Sequence, residues 1–326
     1  MATIVIFGAS GDISRKKVIP GLHEWYTMDK IAIKSVIGYG RTKLSRNEFQ
    51  EKLTFRFNDD NFSDLFDYQV GGYNEMEAFK SLKQKIIDTK ANDVIFYFGI
   101  PSYISPLAIA EISNTEINKS FNCMFILEKP IGTDLNSCNK ILNEIYSYVD
   151  ENDVYILDHY LGKTSIRNII NNKSDNIQQI AISLNEIDNV DHRLEYFNNV
   201  GIFKDMIQSH AMAILYYLVP YIFDTDNLEN MVINEIIKGQ YKEYGGDIST
   251  DTYLKINLTC NGTNIILEAG KGLANDNKSI IINNKIIEIT SDSSEYKSLF
   301  QDALNHDKSK YLDINKLTKF WMVSQY

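Results

Sequence analysis

Cysteine, histidine and long apolar runs are all scarce in this chain of 326 residues. The three cysteines, Cys123, Cys138 and Cys260, are odd in number and scattered, which indicates free thiols in a reducing compartment rather than a disulfide framework. There are only five histidines, and no Cys/His pair has the spacing of a zinc site. We therefore expect no disulfide and no metal.

Features of membrane-bound, secreted and nucleic-acid-binding proteins are also missing. No apolar run approaches the roughly 20 residues that a membrane-spanning helix needs. No basic segment leads into an apolar one at the N-terminus, as a secretory signal would require. The formal net charge of −10 makes duplex DNA and anionic membranes poor partners. With a hydrophobic content of 44%, the chain is predicted to be a cytoplasmic globular protein.

The first half of the chain alternates short apolar runs with helical patterns. The first run, residues 3–7, is followed by a glycine turn and a helix, as at the start of a nucleotide-binding βαβ unit. Alternating strands and helices predict a parallel, doubly wound sheet, which makes residues 1–157 a Rossmann-type dinucleotide-binding domain. The other predicted strands are 31–39, 93–100, 124–127 and 154–157, with helices at 79–89 and 135–148.

Patterning of period two replaces this alternation after residue 175. Apolar and polar residues alternate near residues 180–184 and 254–260, which is typical of an antiparallel sheet with one solvated face. Asn261-Gly262 between two such runs is a hairpin-turn signal. Residues 158–326 are therefore predicted to form an α+β substrate and oligomerisation domain. Its other elements are strands at 264–268 and 280–289, a long helix at 202–218 and a C-terminal helix at 313–323.

Residues 158–163, Asp-His-Tyr-Leu-Gly-Lys, hold the densest group of functional side chains. They directly follow a predicted strand and so lie at its carboxyl end, where open α/β sheets place their ligands. A carboxylate, an imidazole, a phenol and an ammonium can together move a proton and bind an anion. Taken alone, the run fits a strand end followed by a solvated turn equally well.

Two motifs of the first half favour a dinucleotide. Gly8 and Gly11 would let the backbone approach a pyrophosphate at the N-terminus of the next helix, although a tight turn with Asp12 as a simple N-cap stays open. After the second strand come Arg41 and Thr42. An arginine there suits the 2′-phosphate of NADP, whereas a carboxylate would take the ribose hydroxyls of NAD. The alternative for Arg41 is a solvated surface residue.

Lys129 and His210 are candidate site residues with plain structural alternatives. Lys129, in Glu-Lys-Pro, either faces the ligand crevice or marks an ordinary strand exit, and the proline after it could be cis. His210 lies on an apolar helix face, where a histidine is more often a core residue than a base. Asp205 is five residues earlier, roughly 140° around an α-helix, so an orienting carboxylate would come from elsewhere. Asp158 is the candidate.

Glu186 and Lys271 complete the candidates and are ambiguous by themselves. Glu186 ends the strand near residues 180–184 and lies either at a functional rim or beyond the edge of the core. Lys271 lies in a glycine turn after a strand, where anion contact and a plain turn are equally compatible with the sequence.

These segments occur together, and in the same order, in the glucose-6-phosphate dehydrogenase family, which the chain resembles. The resemblance is strong over residues 1–215 and patchy to about 275, and the Asp-His-Tyr-Leu-Gly-Lys run is very specific to the family. The chain is roughly a third shorter than typical members, and the missing length is about that of one ordinary domain. It therefore resembles a shortened member. The family-like segments are 8–12, 38–42, 128–132, 158–163, 196–197, 201–202, 205–210, 270–271 and the helical tail 299–323.

The resemblance implies an enzyme that oxidises a hexose 6-phosphate at C1 to the 6-phospho-lactone, with NADP preferred over NAD. His210 would be the general base for the C1 hydroxyl, Asp158 would hold and polarise it, and Lys129 would position C1 and the nicotinamide. The other implied substrate residues are His159, Tyr160 and Lys163 for the 6-phosphate, and Glu186, Asp205 and Lys271 for the sugar. The implied cofactor residues are Gly8, Ser10, Gly11, Asp12, Ile13, Arg41, Thr42, Pro101 and Lys129.

Departures from the family pattern lie around the sugar pocket. Thr164 stands where a glutamate is usual, residues 191–195 replace a glycine-rich stretch, Ser102 replaces a proline, and residues 275–277 fill a turn that usually carries a basic residue. Glucose 6-phosphate and an amino-sugar analogue are therefore both candidate substrates.

Two other functions and the assembly stay open. A sugar oxidoreductase of the Gfo/Idh/MocA type shares the Glu-Lys-Pro strand end, and a non-catalytic sensor of sugar phosphate or NADPH is the third candidate. Much of the family's dimer-forming sheet is missing, yet bare strand edges still need cover, so we expect a homodimer smaller than the family's.

Overall fold

The computed structural model describes residues 1–54, 57–173, 176–224, 227, 230–290 and 294–323. The chain forms two compact units: unit 1 is Met1–Gly162 with Ser293–Ile314, and unit 2 is Lys163–Asp292 with Asn315–Tyr326. The predicted division at residue 157 differs from this, since the chain returns to unit 1 after completing most of unit 2. Within the described residues, no helix is both long and apolar enough to cross a bilayer.

Unit 1 contains a six-stranded parallel sheet in the order β3-β2-β1-β4-β5-β6, as a Rossmann fold requires. The predicted parallel sheet is confirmed. One strand, β3, was missed because it is an edge strand in which polar residues interrupt a short apolar run. The strands are β1 Ala2–Phe7, β2 Ile33–Gly40, β3 Phe66–Val70, β4 Asp93–Phe98, β5 Asn122–Glu128 and β6 Val154–Leu157.

Helices connect these strands through sequence signals that are visible locally. The clearest case is α7, where Asp134 and Ser137 form a capping box and the apolar stripe includes Ile141, Leu142 and Ile145. A π-helical turn, Ser14–Val18, precedes the first α-helix. The helices are α1 Ile19–Met28, α2 Arg46–Thr54, α3 Asp60–Ser63, α4 Met76–Thr89, α5 Ser105–Asn114, α6 Ile117–Ser120, α7 Leu135–Tyr146 and α8 His159–Gly162.

Unit 2 contains a second six-stranded sheet in the order β12-β11-β7-β10-β9-β8. Its neighbours run antiparallel except for the parallel pair of β7 and β10. The predicted α+β class is confirmed. The strands are β7 Gln179–Asn185, β8 Val232–Gly239, β9 Tyr253–Cys260, β10 Thr263–Gly270, β11 Asn277–Ile282 and β12 Lys285–Glu288.

Two hairpins in this sheet follow from asparagine-rich turns. Asn261 and Gly262, between β9 and β10, have φ of 47° and 79°, as a type I′ turn needs. The segment predicted as one strand over 280–289 is instead the hairpin of β11 and β12. Asn283 and Asn284 turn the chain there with positive φ, a conformation that asparagine tolerates.

The long predicted helix of unit 2 is composite. It consists of α10 Leu194–Ile202, a π-helix over Phe203–Ala211 and α11 Met212–Leu218, and a shorter helix, α9 Thr164–Asn171, opens the unit. In α10, Gly201 leaves the helical region with φ of 65° and ψ of 170°. Helical periodicity alone does not distinguish these segments.

The C-terminal segment supplies one helix to each unit. The first, α12 Ser294–Leu304, places Tyr296, Leu299 and Phe300 in the core of unit 1. The second, α13 Ile314–Val323, lies in unit 2 and nearly coincides with the helix predicted over 313–323. Both helices have apolar stripes, so patterning could not show which sheet each one covers.

Candidate active site

The glycine turn after β1 lies where the strand order of unit 1 reverses between β1 and β4, the usual ligand position in such sheets. Gly8 has φ of 76°, and a Cβ there would overlap the carbonyl oxygen of Gly99. The Gly11 N–H donates to the Gly8 carbonyl at 2.9 Å. Only glycine fits at position 8, because the backbone has a positive φ and the Gly99 carbonyl occupies the space that a Cβ would need.

Asp12 lies in the first turn of the following helix and is paired there. Its carboxylate accepts from Lys16 at 3.0 Å and from Arg15 at 2.9 Å, and these cations lower its pKa. Asp12 is already helical, so it does not stand at the N-cap position before the first turn. The helix start thus carries two exposed cations beside the glycine turn, with Ser10 and Ile13 half-buried in the same turn.

Arg41 and Thr42 directly follow β2, whose end is in register with that of β1 through Tyr39 and Phe7. Both residues are exposed, as is Pro101 beyond β4. The Arg41 guanidinium lies 5.9 Å from the ring centroid of Tyr73. The carboxyl edge of the sheet therefore collects the predicted cofactor residues, since parallel strands end at the same edge.

Lys129 and Asp158 form a buried ion pair at the ends of β5 and β6. Lys129 Nζ lies 3.1 Å from Asp158 Oδ2, with side-chain exposures of only 5% and 0%. Burial lowers the pKa of Lys129, and the Asp158 carboxylate opposes that shift. The Lys129–Pro130 peptide bond is cis. Two residues predicted to be catalytic are thus brought together within unit 1.

Asp158 also begins α8. Its Oδ1 accepts from the Tyr160 N–H at 2.9 Å, and its carbonyl accepts from the Leu161 N–H at 3.0 Å. The rings of His159 and Tyr160 are 5.0 Å apart. Tyr160 is buried and His159 half-buried. The motif is therefore a strand end and a helical turn rather than a solvated loop.

Glu128, the first residue of the Glu-Lys-Pro motif, has no role predicted from the sequence. Its Oε1 accepts hydrogen bonds from Tyr97 at 2.7 Å and from Tyr296 at 2.6 Å. Tyr97 comes from β4 and Tyr296 from α12, so no local spacing could have connected them.

In unit 2, Glu186 and Lys271 pair at the ends of β7 and β10. These strands are parallel with Asn185 opposite Gly270, so both side chains leave the sheet at one edge. Lys278 lies 2.9 Å from the other Glu186 oxygen. Burial alone would raise the pKa of Glu186, but the two lysines lower it to about 2. Lys278, the first basic residue after Lys271, was missed.

Asp205 is held by Arg193 in the same unit. The two guanidinium N–H groups donate to the two carboxylate oxygens at 3.0 and 2.9 Å, a fork that fixes both planes. Lys271 is 3.9 Å from Asp205. Although burial lowers the pKa of Arg193, Asp205 raises it overall. The predicted sugar residues Glu186, Asp205 and Lys271 therefore form one charged network, in which Arg193 was not foreseen.

His210 lies half-buried on the π-helix Phe203–Ala211. The spacing argument about Asp205 assumed an α-helix and is wrong here, because a π-helix bonds residues five apart and stacks them on one face. The Ser209 hydroxyl donates to the Asp205 carbonyl at 2.5 Å. A π-helical segment of this kind is frequent at functional sites, and sequence patterning gives no signal for it.

The border of the two units falls between Gly162 and Lys163, inside the Asp-His-Tyr-Leu-Gly-Lys motif. Asp158, His159 and Tyr160 belong to unit 1, whereas Lys163 and His210 belong to unit 2. Lys163 is buried directly before α9. The predicted pairing of Asp158 with His210 stays a prediction, as do the roles of the three phosphate donors.

Two family models match the chain. Residues 5–168 match the model described as "Glucose-6-phosphate dehydrogenase, NAD binding domain". Residues 164–291 match the one described as "Glucose-6-phosphate dehydrogenase, C-terminal domain". The two matches follow one another along the chain and together include every predicted site residue.

Individual relatives agree in name. The glucose-6-phosphate 1-dehydrogenase of Borreliella burgdorferi is 28% identical, over 86% of this chain and 70% of that protein. Those of Cyberlindnera jadinii and Helicobacter pylori are 28% and 31% identical, over 73% and 65% of this chain. The chain spans only 56% and 53% of these two relatives.

Solved structures share the fold of the chain. A glucose-6-phosphate dehydrogenase in complex with its substrate glucose-6-phosphate superposes with a TM-score of 0.80, at 22% identity, over 99% of this chain and 90% of that one. The Mycobacterium avium enzyme gives 0.77 at 19% identity, over 99% and 91%. A Gfo/Idh/MocA oxidoreductase from Vibrio cholerae gives 0.61 at 10%, over 98% and 95%.

Proposed function

This chain belongs to the glucose-6-phosphate dehydrogenase family, and from that membership we propose that it oxidises a hexose 6-phosphate at C1 to the 6-phospho-lactone. The observation that carries the proposal is the buried Lys129–Asp158 pair at the carboxyl edge of the Rossmann sheet. The Asp-His-Tyr-Leu-Gly-Lys run that continues from it provides the groups for a phosphate. Reduced nicotinamide and the lactone are the products.

In the proposed reaction His210 acts as the general base, and Asp158 orients its imidazole. His210 takes the proton of the C1 hydroxyl, and the electrons that the oxygen gains expel the C1 hydride. The dinucleotide, when bound, accepts that hydride. Lys129 positions the C1 oxygen and the nicotinamide, and its desolvation by burial strengthens this electrostatic contact.

A nicotinamide dinucleotide is the cofactor that fits the residues of unit 1. The glycine turn of Gly8 lies where the strand order of the sheet reverses, and the helix after it begins with Arg15 and Lys16 exposed. These are suitable partners for a pyrophosphate. We propose NADP rather than NAD, since Arg41 is an exposed cation after β2, where a 2′-phosphate would lie, and Thr42 offers a hydroxyl instead of a carboxylate.

The 6-phosphate is proposed to bind to His159, Tyr160 and Lys163. An imidazole, a phenol and an ammonium are donors that a phosphate dianion can share. Lys163 is buried, which makes its charge more effective than that of a surface lysine. A sensor would need the phosphate donors but not a buried lysine–aspartate pair at the sheet edge that also carries the cofactor turn, and we favour the enzyme for that reason.

Among hexose 6-phosphates, we propose glucose 6-phosphate over a cationic amino-sugar analogue. The charged network of predicted sugar residues in unit 2 contains the carboxylates Glu186 and Asp205, and each is already paired with cations. With Lys271, Lys278 and Arg193 present, the cluster has three cations for two carboxylates. An added ammonium would be repelled there, whereas hydroxyls can bind to the remaining lone pairs.

The test is a substrate screen. Glucose 6-phosphate, other hexose 6-phosphates and unphosphorylated hexoses are each supplied with NADP or NAD, and absorbance of the reduced cofactor is followed. We expect NADP reduction with glucose 6-phosphate and little with glucose. Equal rates with and without the 6-phosphate would favour the Gfo/Idh/MocA alternative, and binding without any turnover would favour the sensor.

We also propose that the protein is a cytoplasmic homodimer. The edge strand β8 is exposed along nearly its whole length and carries Ile233, Ile236 and Ile237. Its outer edge pairs with no strand among the described residues. Bare apolar edges invite pairing, and two-fold closure would cover this one.

A further inference from the structure

Glu128 ends β5 in a contact that three distant parts of the chain build. Tyr97 and Tyr296 donate to the same carboxylate oxygen at 2.7 and 2.6 Å, and both tyrosines are fully buried. Their rings meet edge to face with centroids 6.1 Å apart. Two O–H donors that converge on one buried oxygen hold the carboxylate in a single orientation.

This contact lies next to the residue that is proposed to aim the reacting groups. Glu128 immediately precedes Lys129, whose ammonium is paired with Asp158. Lys129 directly follows the last residue of β5. Anchoring Glu128 therefore restricts the backbone from which the Lys129 side chain leaves.

We propose that Tyr97 and Tyr296 are positioning residues that clamp Glu128 and thereby aim Lys129 at the substrate. The proposal rests on the function proposed above and extends it to α12. That helix would then help to position Lys129 in unit 1, although it follows most of unit 2 in the sequence.

The charges around Glu128 make the clamp sensitive to pH. Tyr97 faces it from β4, Tyr296 and Glu295 from α12, Lys129 from the end of its own strand and Asp158 from beyond β6. Lys17 lies 3.0 Å from Glu295. Burial raises the pKa of Glu128 to about 7, the two phenols oppose this rise, and Asp158 and Glu295 add to it.

The acid limb of the pH profile should therefore contain the ionisation of Glu128. The carboxylate accepts charge-assisted hydrogen bonds from both phenols, whereas the neutral acid holds them more weakly. Loss of one phenol should raise the pKa of Glu128 further. If a tyrosine has only a structural role, removing its hydroxyl should leave the acid limb at the same pH.

The test compares Y97F, Y296F and E128Q with Y311F as the matched control. Tyr311 is also buried in unit 1, but its hydroxyl donates to the Leu299 carbonyl at 2.5 Å rather than to Glu128. Glutamine keeps an oxygen that can accept from both tyrosines but cannot ionise. The measurements are kcat and KM for glucose 6-phosphate and NADP between pH 5.5 and 9, with the full chain.

Each phenylalanine variant should lower kcat about tenfold, the equivalent of one hydrogen bond, with KM for NADP nearly unchanged. Its acid limb should move to higher pH, and E128Q should lose the contribution of Glu128 to that limb. Y311F should keep the wild-type profile. Folded Y97F and Y296F with wild-type kcat and pH profile would overturn the proposal. If neither folds, an unchanged profile in E128Q would do so.

A second readout separates this proposal from the proposed function. A group whose pKa is raised on folding stabilises the fold below its unfolded value and loses that contribution as the pH rises through its folded value. The melting temperature of the wild type should thus fall relative to that of E128Q as the pH rises from 4.5 to 7. If the wild type reduces no NADP, the proposed function fails alone. If the melting temperatures of the wild type and E128Q change with pH in the same way, the clamp proposal is wrong.

Discussion

At the scale of single residues, His210 is the side chain whose loss should be most costly for turnover. We expect His210→Ala to lower kcat by a factor of about 10²–10⁴ with KM largely kept, because a base acts in the transition state rather than in binding. His306→Ala, at a turn with φ of 55° in unit 1, is the control. Near-normal turnover in His210→Ala would remove it from the mechanism.

Lys163 should affect binding instead. We expect Lys163→Ala mainly to raise KM for a 6-phosphorylated sugar, since its charge would bind the phosphate in ground and transition states alike. Any weak activity on the unphosphorylated sugar should hardly change. Lys173, an exposed lysine of the same unit, provides the control substitution. If both substrates suffer equally, Lys163 has a structural role.

Arg41 should decide between the two dinucleotides. We expect Arg41→Ala to weaken NADP and leave NAD nearly unchanged, because only NADP carries the 2′-phosphate. Lys43→Ala, two residues further on and also exposed, tests whether any nearby positive charge suffices. Kinetics with each cofactor provide the measurement. An equal loss for both cofactors, or a wild type that prefers NAD, would contradict the assignment.

At the scale of elements, Glu186 joins the ends of β7, β10 and β11 through Lys271 and Lys278. Ion pairing lowers its pKa to about 2, so its contribution to stability is present above the unfolded value of 4.5 and is lost as the pH falls through 2. We expect Glu186→Gln to destabilise the protein at pH 7 by at most about 3 kcal/mol.

Chemical denaturation at a series of pH values checks this prediction. The difference between wild type and Glu186→Gln should shrink between pH 4.5 and 2, where the wild-type carboxylate takes up its proton. Glu235→Gln on β8, whose carboxylate accepts from Asn257 at 2.7 Å, is an exposed control that loses no ion pair. A difference that is constant with pH would assign the effect to packing.

At the scale of the whole molecule, the prediction concerns assembly. We expect a dimer mass by light scattering behind size exclusion at micromolar concentration. Ile236→Lys on β8 should shift it towards the monomer, because a charge on an apolar strand opposes pairing. Ile286→Lys, on β12 at the opposite edge of the sheet, is the control. A monomeric wild type would show that this sheet does not pair.

The order of the elements and the chemistry at the strand ends could be predicted from sequence. The strands of unit 1 are buried on both faces and so read as continuous apolar runs, apart from the edge strand β3. Parallel strands place their carboxyl ends at one edge, which is why Gly8, Arg41, Lys129 and Asp158 could be assigned to a common edge before the structure.

Tertiary structure alone decided the partners of those residues. Arg193 meets Asp205, Lys278 meets Glu186, and Tyr296 meets Glu128 only because separate elements pack together. Likewise, the π-helix under His210 and the place of α12 in unit 1 left no periodic signal. Local patterning records which face of an element is apolar, whereas long-range packing selects the element that this face meets.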